Sequence, residues 1–332
     1  MRGAWFCGLM PGKNRLGERD PRSRPLCGMV HSGYAYLRMR RNPTLNYCGS
    51  HFVLGESSMS TISLYAISTP QNPLLAALPA AEWERVRRNL KPIFMPLGHV
   101  LYEPGMHLDH LYFPTTSVIS ISRVMADGRA DAVALVGGEG FASVEVFLGS
   151  DSAPSRAVVQ SEGWGYQIKR KLLNLECERG GSMRSVLLLY TQSYVTQVAQ
   201  IAVCNRHHAI EQQLCLWLLM FLDRRKSNEL ALTQERIAEL MGVRRESVAA
   251  AASKLQIAGS IRCRRGHIAV VERTDLEARS CECYGIAKRE ADRLLGISHR
   301  YTKMAATRVA VDRDRSERSE SATARASSTI FA

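Results

Sequence analysis

The sequence predicts an α+β protein in which an antiparallel β-roll is followed by a long helix and a C-terminal winged helix-turn-helix. Runs of β-branched and aromatic residues, cut by turn residues, fill 92–173. Helical spacing of apolar residues then dominates 174–223, and a helical hairpin with a basic wing follows over 232–271. Strands first and helices afterwards are typical of an α+β fold.

The 332 residues divide into five predicted segments. Residues 1–70 are predicted to be a disordered or mis-assigned N-terminal extension, because glycine, proline, arginine and serine are frequent there and no apolar period is sustained. The other predicted segments are a β-roll over 71–184, a long dimerisation helix region over 185–223, a winged helix-turn-helix over 224–284, and a short helix with a disordered tail over 285–332.

The predicted roll begins after a helical lead-in from residue 72, in which Pro79 separates two short helices. Glycine-containing turns divide the roll itself into short strands. Six runs are predicted as strands: 100–102, 110–113, 118–122, 132–136, 156–160 and 165–168. The glycine-rich segment 137–140 is predicted to be a turn between strands, because it lacks the strand-to-helix context of a dinucleotide-binding loop.

The long helix carries a narrow stripe whose members follow one another at steps of four and three residues. Such a stripe is typical of two helices that pack along a common seam. The predicted dimer seam consists of Leu187, Tyr194, Val198, Ile201 and Asn205, with Thr191 in the same stripe. The alternative is that the stripe lies on the roll of its own subunit.

The hairpin has the signals of a helix-turn-helix. Thr233 can cap a first helix, and Gly242 supplies the residue free to take a positive φ that a tight interhelical turn needs. A second helix opens with Arg244, Arg245 and Glu246, which face outward because its buried positions come later. Those predicted buried positions are Val248, Ala251, Ala252 and Leu255. Two alternating runs joined by a basic turn then predict a two-stranded wing.

The charge of the hairpin, and not that of the whole chain, predicts DNA binding. The net charge of +13 lies mostly in the tails, which carry +6 over 1–58 and +4 over 285–332. Within 233–271, seven basic side chains accompany three acidic ones, a local charge of +4 that suits phosphate. Two short helices at a steep angle would present the start of the second helix to a major groove.

The cysteine pattern and the hydropathy exclude several other classes of protein. Nine scattered cysteines form no disulfide framework, so a reduced cytoplasm is the predicted location. Pro11, Lys13 and Arg15 interrupt the apolar start before a signal peptide could form. The uncharged stretch 185–205 holds too many glutamine, serine and threonine side chains for a membrane span.

In the order of its elements, the chain resembles the Crp/Fnr family of bacterial transcription regulators. The resemblance covers about 74–284 and is strongest over 233–248, where Arg245, Glu246, Ser247 and Val248 match the start of the family's recognition helix. It implies a cyclic-nucleotide-binding type of sensory roll, a homodimer, a palindromic double-stranded DNA site, and RNA polymerase as a candidate partner. A further arginine of some members would fall at Ala250, so the preferred DNA sequence is expected to differ.

The resemblance and the charge together assign the candidate DNA contacts. Arginine can take both acceptors of a guanine edge, and glutamate can accept from a cytosine amino group. The predicted base-reading residues are Arg244, Arg245 and Glu246. The predicted backbone contacts are Thr233, Gln234, Ser247, Lys254, Arg264 and Arg265, with Ser247 at phosphate as the resemblance implies.

The resemblance does not extend to a cyclic-nucleotide site. The family's ribose and phosphate positions correspond to Ala142-Ser143 and to Ser155-Arg156-Ala157, so the ribose carboxylate is missing and the arginine comes one position late. On a strand, a shift by one residue turns a side chain to the opposite face. Arg156 is therefore predicted to be a surface side chain, cyclic AMP is expected not to bind, and no cofactor is predicted.

The remaining constellations predict neither an enzyme nor a firm metal site. Cys7, Cys27 and Cys48 are too far apart for an iron–sulfur ligand set. Cys204 and His208 lie four residues apart, so a symmetric dimer could join two of each around a metal ion; simple packing is the alternative. Cys281 and Cys283 are predicted to be ordinary thiols, because one intervening residue is too few for a zinc knuckle.

No arrangement of nucleophile, base or paired carboxylates predicts catalysis. A second hypothesis is a ligand-binding or protein-binding module whose winged hairpin serves as an interaction surface. It rests on the four alanines at 249–252, which leave the recognition helix few long side chains beyond its first turn.

Overall fold

The computed structural model of the chain describes residues 71–225 and 227–296. The predicted N-terminal extension with its three cysteines, and the tail that was predicted to be disordered, lie outside these residues. Two short helices open the described part, α1 (Pro73–Ala76) and α2 (Ala80–Arg87), with Pro79 between them as predicted. Asn72 is buried and ties this lead-in to the roll, because its amide donates to the carbonyls of Pro114 and Gly140 at 2.9 and 2.8 Å.

The roll consists of seven antiparallel strands in two sheets, which confirms the predicted fold class. The strands are β1 (Lys91–Met95), β2 (Val100–Tyr102), β3 (His110–Pro114), β4 (Val118–Val124), β5 (Ala130–Val136), β6 (Arg156–Ser161) and β7 (Gly163–Lys169). One sheet has the order β1-β7-β3 and the other the order β2-β6-β4-β5. Alternate side chains of both sheets, such as Leu111, Phe113, Ile119 and Val159, form its buried core.

Strand β1 is absent from the six predicted runs, although it pairs along its whole length with β7. Its sequence contains Pro92, which donates no hydrogen bond to a ladder and so argues against a central strand. The structure resolves the conflict by placing β1 at the edge of its sheet. An edge strand tolerates proline because one of its sides has no neighbour to bond.

Three helices pack with these strands, one between β5 and β6 and two after β7. They are α3 (Val144–Phe147), α4 (Arg170–Glu178) and α5 (Ser182–His207). Glu82 of α2 accepts from the backbone N–H groups of Ser182 and Met183 at 2.9 and 3.1 Å, so its carboxylate caps the long helix α5. The ring of Tyr190 on α5 packs against Phe141 of the roll at 5.0 Å between centroids.

The predicted seam residues of α5 face their own subunit. Leu187 and Ile201 are 0% and 2% exposed, and Tyr194 and Val198 pack against the core of the roll. Only Asn205 of the predicted set is exposed. The dimer-seam assignment of Leu187 and Ile201 is therefore wrong, because a side chain already enclosed by its own roll has no surface left for a partner.

Helix α6 (Ile210–Arg224) lies between the roll and the hairpin. The predicted helix region 185–223 is broken at residues 208–209, where the extended backbone of His208 and Ala209 turns the chain between α5 and α6. Ten consecutive residues of α6, from Gln213 to Leu222, are buried, since roll and hairpin cover it from different sides. Within the described ranges, no helix has both the length and the apolar character that crossing a membrane requires.

The C-terminal part is a winged helical hairpin. Its elements are β8 (Glu229–Leu230), α7 (Gln234–Met241), α8 (Arg245–Ile257), β9 (Ile261–Arg264), β10 (His267–Val270) and α9 (Arg273–Arg279), followed by α10 over residues 282–296. The wing has three strands in the order β8-β10-β9, one more than predicted. Strand β8 has only two residues, too few to show an alternating pattern.

Candidate nucleic-acid interface

The two helices of the hairpin meet at a tight turn whose conformation glycine makes possible. The Thr233 hydroxyl accepts from the Arg236 N–H at 3.1 Å, so α7 has the predicted side-chain cap. Gly242 ends α7 with φ 64°, in the left-handed region that other residues disfavour. Val243 is half-buried in the turn, and its N–H reaches back to the carbonyl of Ala238 at 3.0 Å.

Helix α8 buries one face against the hairpin and leaves its first turn in solvent. Val248, Ala251, Ala252 and Leu255 are 0–5% exposed, as predicted. Arg244, Arg245 and Glu246 are exposed, so the three predicted base-reading side chains surround the free N-terminal end of the helix. The start of the second helix is the part of such a hairpin that enters a major groove, and Arg244 here also lines a cleft toward the roll.

Arg245 has a neighbour within the hairpin, but the pair is loose. Its Nη1 lies 3.8 Å from Oε2 of Glu235 on α7, and both side chains are about two-thirds exposed at 63% and 65%. An exposed ion pair at this distance contributes about 0–1 kcal/mol. The guanidinium therefore remains available to exchange Glu235 for an acceptor on a base.

The predicted backbone contacts occupy different surroundings. Thr233 is exposed at the start of α7, whereas Gln234 and Ser247 are half-buried. Lys254 follows Arg245 by nine residues, which places it about half a turn around the helix, and its Nζ lies 3.7 Å from Glu211 of α6. Lys254 therefore flanks the opposite side of α8 from Arg245.

The wing adds a second basic surface. Arg264 and Arg265 are exposed at its tip, where Gly266 takes φ 79° to close the turn. Arg262 is also exposed on β9 and was not among the predicted contacts. The side chain of Gln256 accepts from the N–H of Cys263 at 2.9 Å and so fixes the wing against α8. Alternation along β9 could have identified Arg262, because residues 262 and 264 share a face.

The hairpin is anchored to the roll through Arg236 on α7. Its Nε donates to Oε1 of Gln160 at 2.6 Å and its Nη2 donates to the carbonyl of Val159 at 3.2 Å. Beside this contact lies a cleft of about 1260 Å³ between roll and hairpin. Arg129, Asp131 and Arg156 line one wall, and Glu239, Arg244 and Ser247 line the other.

The positions that correspond to a cyclic-nucleotide site carry other contacts. Ser143 is buried and has φ 72°, a left-handed conformation that is uncommon outside glycine. The hydroxyl of buried Ser155 donates to Glu145 at 3.0 Å. The Arg156 side chain is 35% exposed, in line with the predicted surface side chain, and it forms a 2.7 Å ion pair with Glu103. Glu103 belongs to the connection between β2 and β3.

Burial of Tyr102 next to these serines raises its pKa above the ordinary range, and the nearby Glu145 carboxylate adds to the shift. The phenol therefore stays neutral at physiological pH. A phosphate bound here would contact the carboxylate of Glu145 and the neutral hydroxyl of Tyr102, and not a free guanidinium group.

The structure joins the four residues that the sequence analysis treated as two unrelated pairs. The side chains of Cys204, His208, Cys281 and Cys283 converge, with all four ligand atoms within 4.8 Å of one another. The description of Cys281 and Cys283 as ordinary thiols considered only their spacing along the chain. The fold brings them to the end of α5, where Cys204 and His208 lie within the same subunit.

Residues 212–279 match the family described as the Crp-like helix-turn-helix domain. Among solved structures, FixK2 from Bradyrhizobium japonicum is 16% identical with a TM-score of 0.50, and the match covers 58% of this chain and 98% of FixK2. A Crp/Fnr-family transcriptional regulator from Eubacterium rectale is also 16% identical, with a TM-score of 0.51, over 63% of this chain and 97% of the regulator. No curated protein sequence matches the chain.

The fold and the hairpin define a winged helix-turn-helix protein with a roll of cyclic-nucleotide-binding type. Residues 212–279 match the Crp-like helix-turn-helix domain, and the solved regulators share the fold of the chain, which confirms the resemblance to the Crp/Fnr regulators. The chain thus has the fold of a Crp/Fnr-type transcription regulator with a DNA-binding domain at its C-terminal side.

Proposed function

We propose that the protein is a homodimeric regulator that binds a palindromic DNA site, with one recognition helix α8 in each of two successive major grooves. The observation that carries the proposal is the exposed first turn of α8. Arg244, Arg245 and Glu246 extend from it, and a firmly buried opposite face holds the helix in place. A binding role also agrees with the absence of a catalytic arrangement in the sequence.

The base-reading work falls to this first turn. Ala249 and Ala250 follow it, so few side chains further along α8 can reach a base edge. Arg245 and Glu246 are proposed to read a guanine and a cytosine, and Arg244 a neighbouring base. Thr233, Gln234 and Ser247 hold the phosphates beside α8, while Arg264 and Arg265, joined by Arg262, hold those beneath the wing.

Lys254 needs a different phosphate from the others. Its ion pair with Glu211 places it on the α6 side of the recognition helix. A phosphate contact by Lys254 would therefore lie on the far strand of the groove relative to Arg245, across the helix. This contact is the weakest of the proposed set, because Glu211 competes for the ammonium group.

The homodimer is proposed to form along the outer stripe of α5, and not along the predicted seam. The outer stripe consists of Leu188, Gln192, Val195, Ala199, Ala202 and Val203, all exposed in the single subunit. Leu188, Gln192, Val195, Ala199 and Ala202 follow one another at steps of four, three, four and three, the repeat of a two-helix seam. Leu188, Val195 and Val203 are 46%, 57% and 47% exposed, which a partner helix would cover.

The cleft explains how a roll could influence DNA binding. Arg244 and Ser247 form part of the proposed DNA surface and also line the cleft that the roll closes on its other wall. A movement of the roll relative to α7 would change the space around the start of α8. Cyclic AMP is not proposed as the signal, because Ser155 and Arg156 are engaged by Glu145 and Glu103.

Selection of bound duplexes from a random pool by the full chain tests the proposal. We expect enrichment of an inverted repeat with half-sites about 34 Å apart, one turn of the duplex. Enrichment of a single half-site would contradict the dimer, and no enrichment would favour the hypothesis of a protein interaction surface.

Two arginine substitutions then separate base reading from phosphate binding. Arg245→Ala is expected to cost about 1–3 kcal/mol at its own base pair and to relax selectivity there. Arg265→Ala is expected to weaken all duplexes alike and to lower the salt dependence of binding by about one counterion. Gel-shift titrations on the selected site and on variants of its base pairs measure both effects. Unchanged binding by both variants would contradict the assignment of Arg245 to a base and of Arg265 to a phosphate.

A further inference from the structure

We propose that Cys204, His208, Cys281 and Cys283 form a binding site for a thiolate-preferring divalent metal ion, Zn²⁺ foremost, within a single subunit. Three sulfur atoms and one imidazole nitrogen lie within 4.8 Å of one another. No second subunit is needed, in contrast to the dimer-bridging arrangement considered for Cys204 and His208 alone. All four residues lie within the described ranges 71–225 and 227–296.

The distances suit a tetrahedral ion and do not suit a disulfide bond. Zinc lies about 2.3 Å from sulfur and about 2.0–2.1 Å from nitrogen, so neighbouring ligand atoms are about 3.5–3.8 Å apart. Cys204 Sγ lies 3.4 Å from Cys281 Sγ, and Cys283 Sγ lies 3.6 Å from His208 Nδ1. A disulfide would instead require about 2.05 Å between two sulfurs.

The fold positions the four ligands through two short local motifs. Cys204 and His208 are one helical turn apart, and the His208 N–H donates to the Cys204 carbonyl at 3.0 Å as α5 ends. Cys281 directly precedes α10 and Cys283 lies in its first turn.

The surroundings favour a closed, structural site. The three cysteines are buried and the His208 side chain is 15% exposed, so little room remains for a water or a substrate. Three sulfurs with one imidazole are a common ligand set of structural zinc, whereas calcium and magnesium require oxygen ligands. Nothing in this arrangement provides the open coordination position of a catalytic zinc ion.

The imidazole is oriented as a metal ligand would be. Its Nε2 lies 3.4 Å from Oε1 of Glu282, while its Nδ1 faces Cys283. A proton on Nε2, held by the carboxylate, leaves the lone pair of Nδ1 directed at the sulfurs. A carboxylate on the far nitrogen is the usual partner of a metal-bound histidine.

The ion would tie the corner between α5 and α6 to the segment that follows the winged hairpin. His208 lies at that corner, and Cys281 and Cys283 lie between α9 and α10. A metal bond across these elements fixes the hairpin relative to the helix proposed as the dimer seam. This consequence for DNA binding rests on the proposed function; metal binding itself does not.

Metal analysis of the full chain, purified without chelator, tests the site. We expect about one zinc ion per chain, as for a single structural site. The double variant Cys281→Ser/Cys283→Ser should lose it, whereas Cys177→Ser, at a half-buried cysteine outside the cluster, should retain it. The triple variant Cys7→Ser/Cys27→Ser/Cys48→Ser should also retain it, since those cysteines are not in the set.

A spectroscopic titration keeps the test decisive if the double variant does not fold. The reduced, metal-stripped wild-type chain is titrated with Co²⁺, and the intense visible bands of tetrahedral cobalt with thiolate-to-metal charge transfer are expected at one equivalent. Added Zn²⁺ should displace them. Cobalt spectra of octahedral type, a metal content that the double variant leaves unchanged, or a Cys204–Cys281 disulfide in the freshly isolated chain would overturn the proposal.

The DNA experiment separates the two proposals. If the metal site exists but no duplex is selected, only the DNA-binding function fails. If an inverted repeat is selected by a chain that binds no metal, only the metal site fails.

Discussion

Gly242 joins two constraints at one position of the hairpin. Its φ of 64° ends α7, and a Cβ added there would meet the carboxylate of Asp131 on β5. The turn between the helices thus also lies against the roll. A side chain at residue 242 would disturb the local turn and the contact between the two parts together.

Substitution of this glycine has a matched control within the same hairpin. Gly259 also has a positive φ, 81°, but no atom lies within 4 Å of an added Cβ. Gly259→Ala is expected to cost about 1–2 kcal/mol from backbone strain alone. Gly242→Ala should cost more, because Asp131 has to move as well. Thermal or urea unfolding of both variants measures the difference, and equal costs would show that the Asp131 contact contributes nothing.

At the scale of single residues, the sequence correctly predicted the local features that depend on residues close by along the chain. The Thr233 cap, the turn at Gly242 and the buried face of α8 each depend on residues that are at most four positions apart along the chain. The cysteine cluster was not predictable in this way, because Cys204 and Cys281 are 77 residues apart. Their spacing along the chain does not predict that the two side chains lie close together, because the packing of α6, α9 and α10 brings them into contact.

Helix α5 shows how one element can present two regular stripes. Its inner stripe packs on the roll, and its outer stripe, a residue further along, is exposed. Both have the same steps of four and three, so spacing alone selects neither. The inner stripe was predicted as the seam because it contains large side chains such as Leu187, Tyr194 and Ile201. Large apolar residues are equally suited to the core of a single subunit.

Val195→Glu tests the outer stripe. Val195 is 57% exposed in the single subunit, so a charge there should leave the fold intact and weaken dimerisation at least about tenfold, by about 1.4 kcal/mol. Sedimentation analysis measures the mass and circular dichroism the helix content. Leu148→Glu is the control, at an exposed leucine of the roll with 62% exposure. A dimer that both variants leave equally stable would place the interface elsewhere.

The missed strands have physical reasons at the same scale. Proline in β1 conceals an edge strand, and β8 is too short to alternate. The short helix predicted within 285–332 begins earlier in the structure, where residues 282–296 are helical. The sequence did not predict the start of this helix. Cys283 and Tyr284 in its first turn are buried against the hairpin, a tertiary contact that the local pattern does not reveal.

At the scale of the described molecule, roll and hairpin share an apolar cluster, in which Val118 and Leu135 of the roll pack with α6 and the hairpin, and directed contacts around α7 add to it. Arg236 bonds to Gln160 and Val159, and Gln160 in turn donates to Ser120 at 2.8 Å within the roll. On the other side, Arg224 of α6 pairs with Glu139 at 2.8 Å. Because these hydrogen bonds and ion pairs require specific distances and angles, a shift of the roll would change the position of α7.

Arg236→Ala should therefore loosen the hairpin from the roll. It removes two hydrogen bonds of a charged group and leaves the Oε1 atom of buried Gln160 without its donor, a cost of about 1.5–3 kcal/mol. Hydrogen exchange of α7 amides is expected to rise, and the unfolding midpoint to fall. Arg87→Ala, which breaks only an exposed ion pair with Glu84, should change neither quantity appreciably. Equal behaviour of the two variants would count against a linking role for Arg236.

Glu82 carries a consequence for any shortened form of the protein. Its carboxylate meets the two N–H groups that open a 26-residue helix about a hundred positions later in the chain. A version beginning at the first strand would retain every proposed DNA and metal ligand. It would nonetheless leave the positive pole of that helix's dipole unscreened and its opening amides unbonded. Two small helices ahead of the roll thus determine how far the molecule can be trimmed.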